Sequence, residues 1–356
     1  MSQKVTLKEL ARLSGTSIAT VSRVLNNSEL VSEEARASIN NAIAQTGYKR
    51  QGRLSVLSQL KKIVIIANDD VETPASFYNS ILSGLKFEAN RLSIDFELLL
   101  TSQITDFEQY HEYLSSFSGI LLIGLENPLT LEYLRKHNLP VQIINGVDSK
   151  MQFSSISPDY EQGGYLAGRY FIELGLKQPK LVTVNLRHSI YQRQQGFMRA
   201  YHEAGSEFSI QDNVIDLLSV AKELDPSLHE AIINNSAGAD FGASKLFPAL
   251  IKQGYFEQVD SVFCICDMMA ISLIQALKSH NINVPQDISI IGFDDLEVSK
   301  MITPNLTTIQ VNYIDLAKQG LAMLIHRINH GTVSSVRSNL SVELIERNSV
   351  NKLCLI

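Results

Sequence analysis

Two sets of side chains carry the chemistry of this 356-residue sequence, and both recognise a partner instead of making or breaking bonds. The first lies in residues 6–26, TLKELARLSGTSIATVSRVLN, where Ser17, Ile18, Ala19, Ser22, Arg23 and Asn26 gather at the start and on the outer face of a short helix. A helix followed by a tight turn and a second helix with a polar, exposed start is how a helix-turn-helix offers a recognition helix to the DNA major groove. The second set lies at the carboxyl ends of apolar runs: Asn68–Asp70, Gly124, Asn145, Asn185, Cys266–Asp267 and Asp294–Asp295. Carboxylates and amides in such places suit the hydroxyls of a small ligand, and Phe77 and Tyr78 offer an apolar surface to a ring.

The catalytic alternatives lack their motifs. No GxGxxG or GxxxxGK[ST] follows a strand and no G-x-S-x-G elbow occurs, so nucleotide hydrolysis, hydride transfer and acyl transfer have no machinery. Eight scattered histidines show no metal spacing. No enzyme activity, cofactor or metal is expected. Of the three cysteines, Cys264 and Cys266 fall on one face of a strand, a poor geometry for bridging. With no apolar leader and no apolar stretch of about 18 residues, a cytoplasmic, membrane-free location is expected.

The elements that position the first set are local. Thr6 caps helix one, with Glu9 completing a capping box, while Leu7, Leu10 and Ala11 share one face. Gly15 ends that helix in a left-handed turn, and Ser17 caps the next, where Val21, Val24 and Leu25 form the buried stripe. A third helix runs from Ser32 to about Thr46, with Ala35, Ile39, Ala42 and Ile43 inward. Residues 1–62 carry a net +6 although the whole chain carries −6; a basic head on an acidic body points the head at a polyanion. The stretch from Tyr48 to Lys62 is basic, with leucines at 54, 57 and 60, and reads as a linker or a short amphipathic helix.

Beyond Lys62, short apolar runs such as KIVIIA (62–67), GILLIG (119–124), SVFCIC (261–266) and ISIIGF (288–293) alternate with amphipathic helices. Such runs are parallel strands covered on both faces, and ligands bind at their carboxyl ends. The fold class is an all-α helix-turn-helix head joined to an α/β core of two doubly wound parallel-sheet subdomains.

In VTLKELARLSGTSIATVSRVLNNSELVSEEAR (5–36), VPQDISIIGFDD (284–295), PNLTTI (304–309) and SVELIERNS (341–349), the chain resembles the LacI/GalR family of transcriptional regulators over nearly its whole length. The resemblance implies a homodimer on a two-fold symmetric double-stranded operator, with a periplasmic-binding-protein-like core that controls DNA affinity. Carried over by position, Ser17, Ile18, Ala19, Ser22, Arg23 and Asn26 face bases and phosphates, and Leu7, Thr20 and Tyr48 support backbone contacts. Ile18-Ala19 matches the galactose-repressor branch and suits thymine methyls. Leu57 matches a minor-groove wedge, although Arg50-Gln51 and Leu54 depart from the family's hinge pattern. In the effector pocket Arg193 matches a sugar-clamping arginine and Asp294 a hydroxyl-binding aspartate. Asn145 stands where many members have Asp, and Cys266 where many have Asn or Ser.

Family topology implies a head over 1–48, a hinge over 49–61, an N-terminal subdomain over 62–158 and 311–338, and a C-terminal one over 159–310 and 339–356. Without the terminal leucine heptads of a tetrameric member, a dimer is the expected assembly. The expected function is repression of a carbohydrate-utilisation operon under a sugar effector, with a galactoside as one candidate. The alternatives are a nucleoside or purine effector, a corepressor response, a solute receptor with a vestigial head, and an α/β enzyme fused to a DNA-binding head.

Overall fold

The computed structural model describes residues 6–25, 31–46, 62–73, 76–104, 106–331 and 334–352. Asn26, Tyr48, Leu57 and the expected hinge over 49–61 lie outside the described residues, as does the side chain of Leu25. The chain divides into two compact units, Met1–Lys61 and Lys62–Ile356.

The head holds α1 (Leu7–Ser14), α2 (Ile18–Leu25) and α3 (Glu33–Thr46). The Thr6 hydroxyl accepts the Glu9 N–H at 3.3 Å and starts α1. The return arm of the expected capping box is absent: Glu9 takes a hydrogen bond from the Arg12 guanidinium at 2.8 Å instead. The guanidinium one turn away competes with the Thr6 N–H for the same carboxylate. Gly15 adopts φ 65°, ψ 24° and its N–H returns to the Ala11 carbonyl, which closes the helix. Leu10, Ala11, Val21, Val24, Ile39 and Ala42 make one core, against which Leu7, Val31 and Ile43 pack. Ser38 Oγ donates to the Ser14 carbonyl at 2.9 Å, tying α3 to the end of α1.

Among the described residues the second unit contains two six-stranded sheets. The first, ordered β11-β5-β4-β3-β1-β2, uses β1 (Lys62–Ala67), β2 (Asp95–Leu100), β3 (Gly119–Ile123), β4 (Val141–Ile144), β5 (Ser154–Pro158) and β11 (Arg337–Leu340). The second, ordered β12-β10-β9-β8-β6-β7, uses β6 (Pro179–Thr183), β7 (Val214–Asp216), β8 (Ser261–Cys264), β9 (Ser289–Asp294), β10 (Thr307–Gln310) and β12 (Glu343–Ile345). The helices, in chain order, are α4 (Phe77–Arg91), α5 (His111–Ser115), α6 (Pro128–Lys136), α7 (Tyr160–Glu173), α8 (His188–Glu203), α9 (Ile210–Asn213), α10 (Leu217–Leu224), α11 (Pro226–Ile233), α12 (Ala243–Lys252), α13 (Asp267–Ser279) and α14 (Tyr313–His330). Strand interiors such as Ile63–Ala67 are buried throughout, as parallel strands under helices on both faces must be.

The chain passes between the sheets three times: after β5, after β10 and after β11. The third passage is at 341–342, because β11 pairs with β5 through Leu340; it therefore falls beyond the 338/339 division. One departure from all-parallel pairing occurs in the second sheet, where β12 runs antiparallel to β10. It enters directly from β11, without the helical crossover that brings a strand in parallel. The expected strand VIDLL also ends early, at Asp216, whose carboxylate accepts the Leu218 N–H at 3.2 Å and starts α10.

Helices α7 and α8 touch backbone to backbone at Gly164 and Gly196. A Cβ on Gly164 would lie 1.9 Å from the Arg193 carbonyl oxygen, and one on Gly196 would lie 1.7 Å from that of Glu161. This crossing fixes the helix turn that carries Arg193.

Candidate functional site

On the head, Ser17 Oγ accepts the Thr20 N–H at 3.0 Å and lies 2.8 Å from Thr20 Oγ1. One serine thereby caps α2 and orients the threonine. Ser17, Ala19 and Arg23 are exposed, Thr20 and Ser22 half-buried, and Val21 and Val24 buried. Ile18 is 49% exposed, an apolar side chain left uncovered beside polar ones. The helix is thus sorted into a core face and a free face with a guanidinium, hydroxyls and small apolar groups. Leu7 is half-buried and packs against the head core.

In the core, a cavity of about 240 Å³ opens beside the start of α4, the carboxyl end of β9 and the start of α8. Asp70, Phe77, Tyr78, Arg193, Cys266 and Asp294 all line it. Arg193 is buried on α8. Its guanidinium donates to the Ile265 carbonyl, and its Nη2 lies 3.4 Å from Asp294 Oδ1. It stacks 3.9 Å from the Phe293 ring centre and 4.6 Å from that of Tyr160. Burial works against its charge, but Asp294 and the surrounding hydroxyls raise its pKa overall.

Asp294 accepts the Tyr313 hydroxyl at 2.7 Å through the same Oδ1. Burial raises the pKa of its carboxyl, against the opposing pull of Arg193. It sits at φ 111°, a backbone conformation rare for a side-chain-bearing residue, which turns the carboxylate toward the cavity. Cys266 is a free, buried thiol. Burial, with Asp294 beside it, pushes the thiol up to about 12, so it stays protonated at neutral pH. Asp70 presents a buried Oδ1 without a hydrogen-bond partner among the described residues.

Asn145 is the exception among the expected effector residues, since it does not line the cavity. Its backbone turns at φ 60°, and its amide oxygen accepts the Tyr160 hydroxyl. It holds the ring beneath Arg193 instead of facing a ligand. Other strand-end residues are structural. Gly124 lies against the Tyr78 ring, Asn185 pairs with Asp216 at 3.2 Å, and Asp295 pairs with Arg347 and Gln310.

Sequence reasoning missed Arg187, Asn235 and Phe241, which also line the cavity, and Tyr313. Arg187 Nη1 donates to Tyr78 Oη at 3.2 Å and Nη2 to Asn235 Oδ1 at 2.7 Å. Of these, Tyr313 had a signal, as the first residue of a helix after a passage between sheets.

Asp267, beneath the site, accepts the Leu296 N–H at 2.8 Å and the hydroxyls of Ser299 and Thr308 at 2.6 and 2.5 Å. Burial, and then Asp294, push its carboxyl up to about 7. The native chain keeps a proton there that the unfolded chain releases near pH 4. Stability is therefore expected to fall as pH rises from about 4 to about 7, with the loss complete above that. Asp267→Asn keeps one acceptor oxygen and can donate to Thr308. It should flatten this slope in urea melts taken across the range; parallel slopes would assign the pH dependence elsewhere.

Among the described residues, no group of three or more His, Cys, Asp or Glu is arranged to hold a metal. No described helix is long and apolar enough to cross a membrane.

Residues 6–51 match the family described as bacterial regulatory proteins, lacI family. Residues 60–222 match the periplasmic binding proteins and sugar binding domain of LacI family, and residues 169–350 a periplasmic binding protein-like domain. The chain is 28% identical to the HTH-type transcriptional repressor PurR of Serratia proteamaculans, over 97% of its own length and 96% of that protein. It is 26% identical to the HTH-type transcriptional regulator RegA of Clostridium saccharobutylicum, over 96% and 98% of the two chains. Among solved structures, a transcriptional regulator CelR–cellobiose complex superposes with TM-score 0.67 at 23% identity, covering 97% of this chain and 99% of that one. A Lac repressor dimer bound to operator and the anti-inducer ONPF gives TM-score 0.63 at 21% identity, covering 98% and 99%.

Proposed function

This chain belongs to the LacI family of bacterial regulatory proteins, and on that premise we propose that it represses a carbohydrate-utilisation operon under the control of a hydroxylated effector. It is a DNA-binding transcriptional repressor with a ligand-binding core. The proposal adds the ligand class, the site and the assembly. The carrying observation is the buried Arg193–Asp294 pair on the cavity wall, braced by Phe293 and Tyr160. Asp294 Oδ2 has no bond within the described chain and is the acceptor for a ligand hydroxyl, with the guanidinium edge as donor. A cavity of about 240 Å³ suits a ligand smaller than the usual drug-sized occupant. The names of the similar structures support the reading, one holding cellobiose and another being a dimer on operator DNA.

In this account the repressor is a homodimer on a two-fold operator. The effector acts by unequal affinity for the open and closed core, which changes operator affinity roughly 5–150-fold. An anisotropy titration of a palindromic duplex, with sugars and nucleosides added in turn, tests it. Sugar-dependent change supports the proposal. A change with nucleosides alone would overturn the carbohydrate assignment and leave DNA binding standing.

Arg23, exposed on α2, is assigned to the operator contact. Arg23→Ala should weaken specific binding by about 1–3 kcal/mol if it reads a base edge, with less discrimination at one position. A uniform loss across all duplexes would make it a phosphate contact, and no loss would remove it from the interface.

A further inference from the structure

Two guanidiniums line the cavity, and they differ in one respect. Arg193 is paired with Asp294. Among the described residues Arg187 has no carboxylate within ion-pair distance; its two hydrogen-bonded partners, the Tyr78 hydroxyl and the Asn235 amide oxygen, are both neutral. Asn235 is held in the left-handed region at φ 55°, in the loop before α12. Arg187 is half-buried, and the carboxylate whose field it shares, Glu126, acts on it without a direct ion pair. The other acid in the lining, Asp70, lies beyond ion-pair distance and has a buried oxygen without a partner among the described residues. Among the described residues the cavity therefore has a cation without a directly paired carboxylate and, separately, open acceptors on Asp70 and Asp294.

From this arrangement we infer that the effector is a polyhydroxylated molecule with one anionic group, a carboxylate or a phosphate, bound by Arg187. Its hydroxyls meet Asp70, Asp294 and Arg193, and its acid meets the fork that Tyr78 and Asn235 hold in place. An anion there forms charge-assisted, geometrically specific bonds to a planar donor set that is already oriented. A neutral sugar would leave the guanidinium without a directly paired counter-charge. The inference rests on the cavity being the effector site, as proposed above, and narrows the ligand to one charge class.

The test uses the full chain and matched probes: glucose, glucuronate and glucose 6-phosphate, then galactose, galacturonate and galactose 1-phosphate. Each is measured by thermal shift and titration calorimetry, with operator binding followed in parallel. At least one acid should bind tenfold or more tighter than its neutral parent, and the uronate and phosphate arms decide which anion is used. Arg187→Gln should erase that advantage while operator binding without ligand persists, and Arg187→Lys should restore part of it. A neutral parent that binds as well as its acids overturns the inference, as does an advantage that survives Arg187→Gln or a failure of every acid to bind. Loss of all operator binding by the wild-type chain would instead overturn the regulatory reading beneath it.

Discussion

Arg193→Ala is expected to abolish the effector response and leave operator recognition intact. The guanidinium is the centre of the site: it bonds the Ile265 carbonyl, faces Asp294 at 3.4 Å and lies on the Phe293 ring at 3.9 Å. Removing it deletes the donor edge offered to a ligand and leaves Asp294 buried with the Tyr313 hydroxyl alone. Breaking a buried pair from one side costs about 3–5 kcal/mol. Much of that cost is the uncompensated carboxylate, so it should shrink at acid pH, where Asp294 can take up a proton. Arg193→Ala combined with Asp294→Asn should therefore recover stability without recovering the response. Thermal melts at pH 5 and pH 8, beside anisotropy on operator DNA, separate the two effects. A variant still switched by wild-type ligand concentrations would place the effector elsewhere.

The second large effect is expected at a residue that touches no ligand. Gly196→Ala would set a Cβ 1.7 Å from the Glu161 carbonyl oxygen, where α7 and α8 meet backbone to backbone. No rotamer change relieves such a clash, so the helices must separate. Overpacking typically costs about 1–3 kcal/mol, and a backbone collision belongs at or above the top of that range. Tyr160 and Arg193 lie on these two helices, so separation should also weaken effector binding. Urea unfolding of the core measures the first effect and calorimetry the second. A midpoint equal to that of wild type would show that the crossing is looser than the contact implies. Gly164→Ala, 1.9 Å from the Arg193 carbonyl oxygen, should behave alike.

How much of this was legible in the sequence depended on the distance over which each interaction acts. The head was readable because its signals are local: Thr6 to Glu9, Gly15 to Ala11 and Ser17 to Thr20 are all within four residues. Competition was the part that escaped, since Glu9 had two partners to choose from and took Arg12. In the core, a polar residue that ends an apolar run marks a strand end, and Asp70, Cys266 and Asp294 were found that way. That rule locates a residue but not the direction of its side chain. At Asn145 a left-handed backbone turned the amide to Tyr160.

Arg187 was invisible for a different reason. It is defined by partners 109 and 48 residues away, and no spacing rule reaches across such separations. The Asp295–Arg347 pair, 52 residues apart, was hidden likewise. The antiparallel β12 follows from where β11 leaves the other sheet, which is a property of the whole topology.

Operator reading by one surface of α2, its strength set by a small molecule in the Arg193 cavity, is the expectation on which the rest depends. Its most direct measurement is operator anisotropy at fixed salt, using a palindromic duplex selected by the protein from a random pool and a scrambled control. The expected result is a preference for the selected duplex of roughly 10³ or more, altered roughly 5–150-fold by a ligand that has no such effect on Arg193→Ala. Equal affinity for both duplexes, indifferent to every ligand tested, would contradict it.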